Sequence, residues 1–225
     1  MTSYVIASSQ KWFSTHFKSE EYKKLNIVEI NNKEDLNLSF LKKINPKYIF
    51  FPHWNWKVDS NIYQQYECIV FHTAPLPYGR GGSPIQNMIL NGFNESPVCA
   101  LKMTDIIDGG PLYQTLMVSL DGKLSDIFLR ISDCIEKLIL QICYKNLTPV
   151  EQSGNIVNFK RLSRLDNELL NSYSLTQLYD RIRMVDAEGY PHAFINFGKY
   201  IIDFSDAKLF ENNLYAQIKI SENAD

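Results

Sequence analysis

The chain is poor in cysteine, has no long apolar run and carries no block of like charge, and each shortage removes a class of function. Its four cysteines, Cys68, Cys99, Cys134 and Cys143, form no CxxC pair and no metal-ligand spacing, so no metal is expected. Cys134 and Cys143 fall nine positions apart in one expected helix. The helical rise separates them by roughly 13 Å, whereas a disulfide needs Cα atoms within about 7 Å, so they cannot pair. Nowhere do about 18 apolar residues follow one another, and the opening MTSYVIASSQ has neither a basic start nor a secretory apolar core. The expectation is a soluble cytoplasmic protein with no membrane partner. Lys plus Arg is 23 against 25 Asp plus Glu, a net charge of −2 with the signs interspersed. A nucleic-acid partner is therefore not expected, because no basic stripe is there to neutralise phosphates. The turn after the first expected strand reads SSQ, with no GxGxxG for a pyrophosphate, and neither a GxxxxGK[ST] loop nor a GxSxG elbow occurs. NAD and FAD are thereby set aside.

What remains is an ordinary globular composition, 45% hydrophobic and 21% charged over 225 residues, enough for one large core with a small appendage. Short β-rich runs alternate with helical patterns. Strands are expected at Tyr4 to Ala7, Ile27 to Ile30, Tyr48 to Phe51, Cys68 to Phe71, Val98 to Met103 and Leu112 to Val118. Helices are expected at Gln10 to Tyr22, Glu34 to Lys43, Ser60 to Tyr66, Pro84 to Asn91 and Asp126 to Tyr144, the last with Ser125 as N-cap. This alternation implies an α/β fold, a Rossmann-like, mostly parallel sheet flanked by helices. Composition changes at Thr148 to Asn155, so a catalytic domain is expected over 1–150 and a smaller part over 151–225. In that smaller part Leu175, Leu178, Ile182 and Val185 mark a helix, and Phe194 to Ile220 reads as several short strands. The terminal strand pattern would supply an edge for a homodimer.

The informative segments are FFPHWNW, CIVFHTAPLPYGRGGSPIQN and LKMTDIIDGGPLY, read as three strand ends on one side of the sheet, where open α/β sheets bind ligands. His72 follows one expected strand and Asp108 another, and an Asp can orient a His for proton removal from an amine. A structural His and a turn Asp are the alternative. Three glycines and three prolines crowd PLPYGRGGSP, and Ser83 and Pro84 open a helix after it. Arg80, Gly81 and Gly82 with a helix start suit an anionic substrate, against the alternative of a rigid turn with a solvated Arg. Trp54 and Trp56 around Asn55 would line a slot for a flat ring, or belong to the core. Tyr190 in EGYPHAF stacks on a base or sugar, or packs the appendage. His16 and His192 have no suggestive neighbours.

FHTAPLPYGRGGSPIQNMILNG with DIIDGGPLY resembles the folate-dependent formyltransferases, whose pattern is Asn-x-His, a Leu-Pro…Arg-Gly loop, a Pro-initiated helix and a later Asp-x-Gly. FPHWNW, GRGGSPIQN and RMVDAEGYPHAF look most like the branch acting on nucleotide-linked amino-dideoxysugars of the pseudaminic-acid type, and like the formylation domain of nonribosomal peptide synthetases. The resemblance spans Tyr48 to Phe194. It implies formyl transfer from N10-formyltetrahydrofolate to a primary amine, with His72 and Asp108 as catalytic residues. It implies that the pterin lies between Trp54, Asn55 and Trp56 on one side and Thr104, Asp105, Ile106, Ile107 and Asp108 on the other. Arg80, Gly81, Gly82 and Tyr190 would bind a nucleotide-linked amino sugar. Formylation of an aminoacyl group on a carrier or tRNA, and an inactive folate or nucleotide-sugar binding protein, are the alternatives. The family's Asn two positions before the His is Val70 here, with His53, Asn55 and Asn87 the candidates to replace it. The chemistry itself needs a proton acceptor near the amine and donors near the developing oxyanion, with no metal and no covalent nucleophile.

Overall fold

The computed structural model describes residues 1–10 and 16–222. Strands β1 (Ser3–Ala7), β2 (Asn26–Ile30), β3 (Tyr48–Phe51), β4 (Cys68–Thr73), β6 (Glu95–Lys102) and β7 (Leu112–Ser119) form a six-stranded sheet in the order β2-β1-β3-β4-β6-β7. Pairings β1 to β2, β1 to β3 and β3 to β4 are parallel. That is the expected α/β class with a mostly parallel sheet. Parallel strands are covered on both faces and read as continuous apolar runs, and the YIFF of β3 is buried at all four positions. The order reverses at β1, with β2 on one side and β3 on the other, and the two carboxyl ends meet there. Ser9 donates to the His53 carbonyl with both its N–H (3.1 Å) and its hydroxyl (2.7 Å).

One strand runs against the expected direction. β6 is antiparallel to β4, in the register Ile69 to Lys102 and Thr73 to Val98. Its carboxyl end therefore lies beside the start of β4, where the Met103 N–H donates to the Cys68 carbonyl at 2.8 Å. The three segments are not three ends on one side of the sheet. An apolar run records that a strand is buried and carries no sign of its direction.

Helix α1 (Glu20–Lys23) begins at Ser19, whose hydroxyl accepts from the Tyr22 N–H. The expected helix Gln10 to Tyr22 lies outside the described residues at 11–15, and residues 16–19 are not helical. The expected helix Glu34 to Lys43 is broken, because the Asn37 side chain caps the Phe40 N–H at 3.0 Å. A 3₁₀ turn, Lys33–Asp35, precedes it and α2 (Leu38–Ile44) follows. Helices α3 (Ser60–Gln65) and α4 (Pro84–Leu90) are close to expectation. Helix α5 (Leu124–Lys145) starts one residue before the expected cap, so Ser125 sits in its first turn and donates its N–H to the Asp186 carbonyl. Buried Glu136 of α5 accepts from the N–H groups of Lys18 and Ser19, which ties down the entry to α1.

The chain forms two compact units, each built from separate stretches. One comprises Met1–Arg80, Pro97–Val118 and Leu129–Asn158, and the other Gly81–Ser96, Ser119–Phe128 and Phe159–Asp225. In the first, Val5, Ile30, Leu41, Ile49, Phe51, Ile62 and Cys68 join β1, β2, β3, α2, α3 and β4 in one buried cluster. In the second, α6 (Leu175–Arg183) is opened by a capping box of Ser174 and Gln177. Strands β9 (Ala193–Phe197), β10 (Tyr200–Phe210) and β11 (Asn213–Glu222) make an antiparallel sheet in the order β11-β10-β9. These strands are longer than the sequence pattern suggests, because Asp206 in the left-handed region (φ 47°) accompanies a register shift that lets β10 continue past it. Strands β5 (Tyr78–Gly81) and β8 (Val157–Phe159) pair in a two-stranded ribbon. Among the described residues no helix is long and apolar enough to cross a membrane.

Candidate active site

His72 lies within β4, and its buried ring is held at both nitrogens. Nε2 is 2.7 Å from the Gly79 carbonyl, and Nδ1 is 3.4 Å from Oδ2 of Asp108. A carbonyl can only accept, so Nε2 carries a proton and donates, and Nδ1 faces the carboxylate. One proton between Nδ1 and Oδ2 makes that contact attractive. The His72 side chain is 7% exposed and that of Asp108 17%, so Asp108 is the more open end of the pair. The two were expected to meet, and the structure brings them together by a loop that returns from the far end of β6.

That loop is strained and closely fitted. Asp108 has φ 51°, a left-handed conformation of the kind that costs on the order of 1–3 kcal/mol. A Cβ on Gly110 would stand 1.9 Å from the Lys102 carbonyl oxygen, so only glycine lets the loop lie against the end of β6. The loop presents Ile106 and Ile107 to solvent at 58% and 76% exposure, while the Thr104 hydroxyl accepts from the Ile106 N–H and donates to its carbonyl. Asp105 is exposed.

Trp54, Val70 and Met103 are partly buried residues that pack against the same buried cluster of the first unit. The two indoles meet edge to face at 4.8 Å, so no slot for a flat ring exists between them. Trp56 is 38% exposed, Asn55 is exposed, and the buried Nε1 of Trp54 has no partner. Exposed Trp56, Ile106 and Ile107 with an unused N–H donor fit a flat heterocycle with a polar edge. Val70 shares the face of β4 with His72, two residues away, and offers no polar atom. Of the three groups weighed in its place, Asn87 is spent: its amide nitrogen donates to the carbonyls of Gly82, Ser83 and Lys160. His53 has φ 56°, and Asn55 is exposed.

Arg80 is a held cation, and the reading of a solvated loop Arg is corrected. Its Nε and Nη2 donate to Oε1 of Gln152 at 3.1 and 2.6 Å, and Nη1 would stand 3.3 Å from a Cβ on Gly109. Gln152 in turn donates to the carbonyls of Asp108 and Gly110, both at 2.8 Å. Sequence reasoning missed Gln152, which lies in the Pro- and Gly-bearing stretch after the long helix with no periodicity to mark it. Gly81 and Gly82 have a different role from the one expected. A Cβ on Gly81 would stand 2.8 Å from the Phe159 carbonyl and one on Gly82 2.4 Å from the Arg161 side chain, while the Gly82 N–H already donates to Phe159. The chain's own backbone occupies the approach that a ligand was expected to use. Ser83 at the start of α4 makes no side-chain cap bond, and its hydroxyl accepts from the Leu162 N–H. Tyr190, in the second unit, packs on Phe128 at 5.5 Å, and burial raises its phenol above the ordinary value. Burial also pushes the Cys68 thiol to about 12 and that of Cys99 to about 11, so neither presents a thiolate near neutral pH.

Methionyl-tRNA formyltransferase from Clostridium thermocellum superposes with a TM-score of 0.94 at 36% identity, covering 99% of this chain and 100% of that one. The chain belongs to the formyltransferase family. Residues 164–221 match the family profile described as the methionyl-tRNA formyltransferase C-terminal domain. Methionyl-tRNA formyltransferase of Campylobacter jejuni is 27% identical over 169 residues, which is 73% of this chain and 55% of that relative. This formyltransferase chain thus spans about half the length of the curated relatives it matches. A 4-N formyltransferase from Francisella tularensis shares the fold at TM-score 0.66 and 13% identity, covering 96% of both chains. HypX from Aquifex aeolicus, in complex with tetrahydrofolic acid, does so at 0.76 and 13%, covering 91% of this chain and 37% of that one.

Proposed function

We propose that this chain transfers a formyl group from N10-formyltetrahydrofolate to a primary amine, and that the pair of His72 and Asp108 handles the proton that the amine must lose. The observation that carries this reading is the contact of Nδ1 with Oδ2 at 3.4 Å, with the opposite ring nitrogen fixed on Gly79. An attacking amine becomes acidic as it bonds to the formyl carbon; the more open Asp108 carboxylate, beside the His72 ring, would accept that proton, and a proton would pass to the folate nitrogen as its bond to the formyl carbon breaks. The folate, when bound, supplies the formyl carbon. Trp54, Asn55, Trp56 and the exposed loop Thr104, Asp105, Ile106 and Ile107 would hold its pterin.

For the acceptor, the name carried by the relatives and the match over 164–221 favour an aminoacyl group on tRNA over the amino sugar expected from sequence. A nucleotide-linked amino sugar stays as the second reading, supported by the held Arg80 cation beside the Asp108 loop, which suits a diphosphate, and by the net charge of −2. With either acceptor the catalytic part is assigned to 1–150 and the accessory part to 151–225.

The test is formyl transfer with aminoacylated tRNA, a carrier-bound aminoacyl group and a panel of nucleotide-linked amino sugars. His72→Ala and Asp108→Ala should each lower turnover by about 10²–10⁴-fold with folding intact. Near wild-type turnover by either variant would remove the pair from the mechanism. Transfer to no amine would leave the inactive binding protein.

A further inference from the structure

The His72 and Asp108 pair depends on a residue outside it. Gln152 spends its whole hydrogen-bonding capacity on this loop and its cation: both amide hydrogens go to the carbonyls of Asp108 and Gly110, and the oxygen accepts two bonds from Arg80. Carbonyls only accept and a guanidinium only donates, so these partners leave one orientation for the carboxamide. Its own place is set by a two-way bridge two residues earlier, where Val150 and Leu112 exchange N–H···O bonds of 2.8 Å, so the anchor is rooted in β7. Asp108 needs such an anchor, because its left-handed backbone is held against its own preference.

We propose that Gln152 is a positioning residue for the formyl transfer proposed above, holding the Asp108 carboxylate at Nδ1 of His72 and keeping Arg80 against the same loop. This rests on that functional reading for its kinetic arm and on geometry alone for its spectroscopic arm. Of the pair, Gln152 touches only the backbone carbonyl of Asp108, and neither its carboxylate nor the His72 ring, so its removal acts on the rate of the chemical step more than on binding. Two variants separate its halves. Gln152→Leu loses both contacts. Gln152→Glu keeps an acceptor for Arg80, and loses the donors to the two carbonyls.

The full chain, with its histidines labelled with ¹⁵N, is measured for kcat, for KM of the folate and of the amine, for Tm, and for the ring nitrogen shifts of His72. Both variants should lower kcat by about 10–100-fold with each KM within about threefold, as misplaced supporting groups do. The His72 ring shifts should move in both, because Nδ1 loses its fixed neighbour. A kcat within twofold of wild type in Gln152→Glu overturns the proposal, as do unchanged His72 shifts in either variant. If wild type formylates no amine, the functional reading fails while the His72 shifts still decide whether Gln152 positions Asp108.

Discussion

The six-stranded sheet and the three-stranded sheet use the same kinds of side chain to opposite ends. In the first, Phe50 and Ile69 are fully buried, Phe50 stacking on Phe71 at 6.3 Å. In the second, Ile218 and Ile220 of β11 are each 58% exposed, although they share a face with Ile202 and Phe204 of β10. Strand β4 carries His72, so the group needing a fixed direction is mounted where side chains have no room to move. Apolar content alone would not have separated the sheets, since both are rich in Ile and Phe. Cover separates them, and cover turns an apolar strand into a rigid mount.

The largest expected effect tests that contrast. Phe50→Ala should destabilise the protein by about 3–5 kcal/mol, as deletion of a buried aromatic does. Ile218→Ala should change stability by no more than about 0.5 kcal/mol. Urea unfolding measures both, and equal losses would break the comparison. Next is Gly110→Ala, where a Cβ would overlap the Lys102 carbonyl at the end of β6. A loss of about 1–3 kcal/mol is expected, together with reduced formyl transfer as Asp108 shifts. A variant as stable and as active as wild type would show that the loop is not locked to the buried sheet. The smallest effect belongs to the exposed sheet, where Lys123 Nζ lies 2.6 Å from Oδ1 of Asp206. The hydrogen bond from Lys123 holds the Asp206 carboxyl below its usual 3.8. A lowered carboxylate favours the folded state above the unfolded value, and this is lost as pH falls through the folded one. Asp206→Asn should therefore lower Tm by about 1–2 °C at pH 7, with the gap closing below about pH 4 in thermal melts. A gap that persists in acid would mean that the left-handed turn at Asp206, and not its charge, matters.

Much of the first sheet was legible, because a run such as YIFF or CIVF is consistent with a strand buried on both faces. The long amphipathic helix was legible for the same local reason, through Ile131, Ile135, Leu138 and Ile142. Asn37 has the side chain of a cap that splits the expected helix, but the apolar pattern runs across it and masks the break. The glycines of the Arg80 loop suggest openings for a ligand in the sequence, whereas Phe159 and Arg161 come against them from far along the chain. Glycine reports that something comes close and does not say what.

The sequence by itself determined which segments could be strands or helices and which residues could do acid-base chemistry, since propensity, capping and periodicity act over a few residues. Only the tertiary structure decided the rest: that β6 runs antiparallel, that its following loop carries Asp108 back to His72, and that Gln152, 44 residues beyond Asp108, holds that loop. Contacts across such separations form where the folded backbone brings donors and acceptors within about 3 Å, a condition set by the packing of whole elements and unmarked at either end of the contact.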